Sequence, residues 1–198
     1  MALVGIWTNQ GMSSSGWTRA QQQHNATEIW NYFGAQGWTL NAVAAMLGNM
    51  EKESFINPAQ WEMGFPIEGA NDHGFGLVQW TGYKKYTDWA GSDWRTNYAK
   101  QLQRIDYEVA NNWVQWSNLA AFNYATFYDF TRSTASVDYL TEMFVRCYEK
   151  PGNWQGSIAE RRGYSNYWYQ YLSGVTPPPT PTTLPIWLLF KLKEANGK

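Results

Sequence analysis

Stretches of helical apolar periodicity flank a segment that no long helix can cross, which limits the chain to a mainly helical domain with one irregular insertion. Ala26, Ile29, Trp30 and Phe33 recur at helical spacing after Arg19, with Gly37 as a stop. Val43, Met46, Leu47 and Met50 form a second stripe, which Thr39 can cap and which runs to Glu53. Asn57-Pro58 ends it, because the residue before a proline is pushed out of the α region. Residues 60–83 then hold Pro66 and Gly64, Gly69, Gly74, Gly76 and Gly82, so loops and short strands are expected there. Helical spacing returns at Tyr98, Leu102, Ile105 and Val109, and again at Val137, Leu140 and Phe144 ahead of Cys147 and Tyr148. A last, aromatic helix is expected over about 158–172.

With 198 residues the chain is long enough for one domain with a substantial core. Residues 1–18, rich in Gly, Ser and Thr, read as a loose N-terminal arm, and the globular domain is expected over 19–174. A Pro/Thr-rich run over 175–183 reads as an extended linker, since successive prolines hold φ and remove donors. The tail, 184–198, is too short to fold alone; it reads as a docking peptide or as an unstructured remnant.

Aromatic residues make up 18% of the chain, with 13 Trp and 13 Tyr, while charged residues make up only 16%; about 25% charged is usual. Flat rings with a polar edge suit a sugar binder, although core packing is their ordinary use. A net charge of −1 offers no basic field for nucleic acid. The lone Cys147 excludes an intrachain disulfide and a cysteine-rich metal site, and it reads as a small buried residue. His24 and His73 have no His-Glu-X-X-His arrangement, so neither a metal nor a cofactor is expected. The start, Met-Ala-Leu-Val-Gly-Ile-Trp, lacks the basic and apolar regions of a signal peptide. The late run from Ile186 to Phe190 falls far short of the roughly 20 apolar residues that span a bilayer.

Chemistry centres on Asn49-Met50-Glu51-Lys52-Glu53-Ser54. At about 100° per residue Lys52 points away from the stripe, and Glu51 and Glu53 flank it on opposite edges. Periodicity leaves the two tied. Glu53 lies nearer the helix C-terminus and beside Met46 and Met50, where desolvation and the macrodipole both favour the protonated carboxyl that a general acid needs. On position alone a surface glutamate is the ordinary alternative.

Glu53-Ser54, followed by Gly74-Phe75-Gly76-Leu77-Val78-Gln79-Trp80, resembles the glutamate-serine and glycine-leucine-X-glutamine signatures of goose-type lysozymes and soluble lytic transglycosylases. The chain is more similar still to the lysozyme domain of phage tail-tip wall-degrading proteins. Gly37-Trp38, Met46 to Met50, Ile56-Asn57-Pro58, Gly74 to Thr81, Tyr148-Glu149 with Pro151, and Tyr167-Trp168-Tyr169 carry that likeness. The resemblance implies an α+β, mainly α, lysozyme-like fold with a small β region near 60–83 flanking a groove. It implies cleavage of the β-1,4 bond between N-acetylmuramic acid and N-acetylglucosamine, with Glu53 as acid. Peptidoglycan and virion tail proteins would be the partners, at the virion tail tip or at the wall after release. Relatives of this kind can carry a peptidase domain beyond a linker; with about 20 residues after the prolines, no such second activity is expected in these 198 residues.

Other site residues are less constrained. Asp72 can assist a water or stabilise an oxocarbenium-like state, or simply form a turn after Asn71; Glu62 and Glu68 share its segment. Gln79 offers a donor and an acceptor to a sugar amide or a water. Trp80 and Tyr83 can stack on sugar rings, with core packing equally open for Trp80. The resemblance turns Tyr148 to the groove and makes Glu149 an accessory group or a surface charge. A cysteine peptidase using Cys147 is disfavoured, because that residue falls late in an apolar helix pattern. Two rivals remain: a lytic transglycosylase using the same Glu53, and a noncatalytic wall-binding phage structural protein.

Overall fold

The computed structural model describes residues 2–7, 17–62, 72–176 and residues 188, 189 and 192. Among these the chain forms α1 (Arg19–Ala35), α2 (Leu40–Ser54), α3 (Lys84–Ala90), α4 (Ala99–Ala110), α5 (Phe127–Arg132), α6 (Val137–Phe144) and α7 (Ile158–Ser173). The 3-10 turns Asn112–Val114 and Ala120–Phe122 lie between α4 and α5, and a π-helical turn, Val145–Glu149, continues α6. Thr39 caps α2 as expected, its Oγ1 accepting the amide of Ala42 at 3.1 Å.

The chain divides into two compact units, one made of Met1–Glu28 with Met50–Arg104 and the other of Ile29–Asn49 with Ile105–Lys198. In the first, residues 2–7 are held by two asparagines acting like strand partners. Asn25 accepts the amide of Val4 and donates to its carbonyl, at 2.9 and 2.8 Å. Asn57 does the same for Ile6, at 3.1 and 2.8 Å. Of the 1–18 arm, residues 2–7 are fastened in this way; 8–16 lie outside the described residues, as do most of the linker and tail.

In the second unit α2 and α7 approach without an intervening side chain. A Cβ at Gly48 would stand 2.0 Å from Ser165 Oγ and 2.6 Å from its backbone nitrogen, so only glycine fits. Ser165 and Thr141 hydroxyls meet at 2.8 Å beside it, and Arg161 donates to Asn49 at 2.9 Å. Around Trp116 an aromatic core gathers Phe127, Phe130 and Phe144, with Trp116 and Phe127 stacked at 4.7 Å.

The expected small β region is a correction. Among the described residues there is no strand, only an isolated antiparallel bridge between Trp61 and Phe75. It is framed by Glu62 N–H to Gly74 at 3.1 Å and Gly76 N–H to Gln60 at 2.9 Å. Residues 63–71 lie outside the described set. The bridge cannot extend beyond Gly76, because that residue (φ +84) and Gln79 (φ +48) turn the backbone out of the extended region. The amide of Leu77 is taken by the Gln101 side chain instead of a neighbouring strand. Among the described residues the fold is helical rather than α+β.

Candidate active site

Two glutamates separated by Lys52 on the last turns of α2 have different surroundings. Glu51 is 3% exposed, and its Oε1 lies 2.8 Å from Arg19 Nη2. Glu53 is half-buried. The two carboxylates thus differ in burial, Glu51 being inside and beside Arg19 and Glu53 partly open to solvent.

Directly after Ser54 the chain takes an unusual path. Phe55 (φ 54) and Ile56 (φ 57) are both left-handed, a region in which a β-branched residue is a genuine outlier. Such conformations cost of the order of 1–3 kcal/mol each and persist only when their surroundings hold them. Here Trp17 Nε1 donates to the Phe55 carbonyl at 2.7 Å and Asn25 to that of Ile56 at 2.9 Å. The strain sits two residues from Glu53.

The two sequence motifs meet in one contact. Ser54 Oγ, fully buried, lies 2.8 Å from the Leu77 carbonyl and 3.0 Å from that of Met50, which fastens the end of α2 to the 74–80 segment. Gln101 braces the same segment from α4: its Oε1 accepts the Leu77 amide at 2.8 Å and its Nε2 donates to Pro58 at 2.6 Å. Sequence reading passed over Gln101. Its signal was a polar residue four positions before Ile105, on the apolar face of α4.

Gln79 is half-buried, and its amide donates to the carbonyls of Gln60 and Gly76 at 3.1 and 2.9 Å. Both contacts are with acceptors, so the side-chain nitrogen faces them and the amide oxygen lies on the side of Gly74.

Placement of the remaining residues is mixed. Trp80 is 2% exposed and stacks on Tyr86 at 5.0 Å, and Tyr83 is buried against Trp61 at 5.2 Å; both rings are core. Asp72 is a surface carboxylate 3.4 Å from His73 Nε2, while Glu62 Oε2 lies 3.7 Å from His73 Nδ1 and accepts the Gly74 amide at 2.7 Å. Glu68 lies outside the described residues. Two rings that the sequence pattern did not single out, Trp7 and Trp94, pack together in this unit, with Phe75 stacked on Trp7 at 5.8 Å and the Arg95 guanidinium over both indoles. Trp7 is 37% exposed, Trp94 packs edge-on to it at 5.9 Å, and the Arg95 guanidinium lies 4.9 Å from the Trp94 ring.

Tyr148 and Glu149 belong to the other unit, on the π-helical turn. Tyr148 is fully buried, donates to Glu108 Oε2 at 2.5 Å and stacks on Phe144 at 4.6 Å, so its ring is core as well. Glu149 is half-buried. Burial pushes the neighbouring Cys147 thiol up to about 11, which leaves it a thiol rather than a nucleophile at neutral pH. Among the described residues no three His, Cys, Asp or Glu side chains gather as a metal-binding group.

A sequence model of the phage tail lysozyme family matches residues 24–172. Morphogenesis protein 1 of Bacillus phage B103 is 44% identical over 152 residues, which cover 76% of this chain and 40% of that protein. The chain therefore spans well under half the length of this relative.

Proposed function

Because this chain belongs to the phage tail lysozyme family, we propose that it degrades peptidoglycan by hydrolysing the β-1,4 bond between N-acetylmuramic acid and N-acetylglucosamine, with Glu53 as the general acid. The carrying observation is the different environment of the two glutamates on α2, with Glu51 held by Arg19 and Glu53 at the partly open helix end. In the reaction the protonated Glu53 carboxyl gives its proton to the glycosidic oxygen as the C–O bond breaks. The oxocarbenium-like sugar is then captured by water, which loses its own proton.

Asp72 is the proposed partner carboxylate, stabilising the positive sugar or accepting the water proton, and His73 beside it orients it. The Gln79 amide oxygen is proposed to accept a hydrogen bond from a sugar N–H or O–H, while its nitrogen keeps the 76–79 turn in shape. The buried Trp80, Tyr83 and Tyr148 do not suit a stacking platform for a pyranose, and Trp7, 37% exposed, is proposed to meet the sugar with its open edge. The relative's name, a morphogenesis protein of a phage, supports a place in the virion, where tail proteins would be partners.

The test is turbidity loss of purified walls with the intact chain and with Glu53→Gln, followed by mass spectrometry of the released ends. Loss of lysis in the variant and a reducing end in the products are expected. An anhydro-muramic end would replace hydrolysis by transglycosylation with the same acid. Undiminished lysis by Glu53→Gln would overturn the assignment.

A further inference from the structure

The segment joining α4 to α5 presents two large aromatic rings to solvent on a frame built to keep them there. Trp113 is 82% exposed and Tyr124 66% exposed, although rings of this size are ordinarily covered. Disorder of the loop does not explain this, because it is internally cross-braced. Asn112 donates to Asn118 at 2.7 Å and accepts the Phe127 amide at 2.5 Å. Trp116, stacked on Phe127, donates through Nε1 to Ala125 at 2.9 Å. Between these braces Asn123 (φ 52) and Tyr124 (φ 56) are consecutive left-handed residues, and the Tyr124 amide is tied to Leu119 at 3.0 Å. A tyrosine held left-handed with its ring in water is backbone strain that packing of the ring does not repay.

The chemistry of the loop selects a ligand class. Residues 109–128 contain no charged side chain. The same segment carries two exposed amides, Asn118 and Asn123, each able to donate and accept. The neighbouring cations are Lys150, whose ammonium is held at 2.6 Å by the Gln115 carbonyl, and Arg146, which pairs with Glu142 at 2.9 Å. Open ring faces with neutral amides suit a neutral polyhydroxylated ligand. A polyanion would call for clustered cations instead.

We infer that the 111–128 loop is a second glycan-binding surface, on which Trp113 and Tyr124 stack N-acetylhexosamine rings of the wall polymer and Asn118 and Asn123 bond their hydroxyl and acetamido groups. This rests on the proposal that wall glycan is the substrate. It adds a surface that lacks the proposed acid and holds the polymer without cutting it.

The test uses the full chain carrying Glu53→Gln, so that binding is read apart from cleavage. Co-sedimentation with purified, teichoic-acid-free peptidoglycan is measured for that chain and for versions adding Trp113→Ala or Tyr124→Gly. Each addition is expected to weaken binding on the order of tenfold, as loss of an aromatic anchor does. Tyr124→Gly is expected to melt no lower than its parent, because glycine accepts the left-handed backbone, so its weaker binding would not reflect unfolding. Unchanged wall binding in both versions would overturn the inference. So would loss of binding to phosphatidylglycerol vesicles with wall binding intact, since exposed Trp and Tyr also suit a membrane interface. Wall lysis by the chain with Glu53 intact is measured in parallel. If lysis is absent but Trp113→Ala still weakens binding, the hydrolase proposal fails and the surface stands; lysis with unaltered binding in both versions gives the reverse.

Discussion

Arg19 Nη2 lies 2.8 Å from Oε1 of Glu51, whose carboxylate is 3% exposed, so the inner of the two α2 glutamates is part of the scaffold. Glu51→Gln leaves Arg19, itself about half-exposed, free to turn to water, and is expected to cost about 1–3 kcal/mol of stability with lysis per folded molecule retained. Glu53→Gln is expected to do the opposite, leaving the melting temperature within a few degrees and lowering the lysis rate roughly 100- to 10,000-fold. Thermal melts and wall turbidity on both variants check the pair. If Glu51→Gln removes lysis from a folded chain, the roles are reversed.

Gln79 combines a strained backbone with an amide that bonds two carbonyls. Gln79→Glu keeps the shape and an acceptor oxygen but sets a carboxylate oxygen against the carbonyls of Gln60 and Gly76. It is expected to lower stability by about 1–3 kcal/mol and to lower lysis more than Gln79→Ala does. A Glu variant that melts and lyses like the parent would mean that the nitrogen contacts are dispensable.

The contact of α2 with α7 depends on Gly48. A methyl group there meets the Ser165 backbone nitrogen at 2.6 Å and the Arg161 carbonyl at 2.8 Å, and neither can turn aside as a side chain end would. Gly48→Ala is expected to cost about 3 kcal/mol or more despite the better helix propensity of alanine, which is worth only about 1 kcal/mol. Gly48→Ala with Ser165→Gly would not rescue it, because the clash is with backbone. Urea denaturation of both variants is the measurement.

What could be read from the sequence was what local pattern encodes. The Thr39 cap, the α2 stripe and the position of α7 depend on residues within a turn or two of one another, and each was legible. The β region was not, because glycines and alternating aromatics suit both a strand and a run of turns. The choice was made at long range, by Gln101 taking the Leu77 amide from another element. The order of residues 2–7 was hidden for the same reason, since the clamps Asn25 and Asn57 stand 21 and 51 residues away from the backbone they bind. At the candidate site, motif and helix position pointed to Glu53, whereas the ion pair of Glu51 with Arg19 is a contact between elements that periodicity does not show. Burial of Trp80, Tyr83 and Tyr148 also needed coordinates, because a tryptophan or tyrosine suits a core and a sugar platform equally well.

Asp106 predicts a pH dependence separate from the candidate site. Its carboxyl is wholly buried; Oδ2 accepts the Tyr32 hydroxyl at 2.5 Å and the Gln36 amide at 3.1 Å, while Oδ1 has no hydrogen-bond partner among the described residues. Burial pushes its pKa up to about 7, against the opposing pull of the two donors. A carboxyl raised in this way stays protonated in the fold after it has ionised in the unfolded chain. Below about pH 4 both states hold the proton and Asp106 exacts no cost. Between about pH 4 and 7 only the unfolded state releases it, so stability falls as pH rises, by an amount on the order of 4 kcal/mol, and the cost is then constant above 7. Asp106→Asn, neutral throughout and still able to accept from Tyr32 and Gln36, is expected to flatten that fall. Tyr32→Phe, which removes a donor that favours the charged form, is expected to carry the fall to higher pH. Urea midpoints from pH 4 to 8.5 for the three chains decide the matter. Parallel curves for the parent and Asp106→Asn would mean that the carboxyl is not the group that titrates.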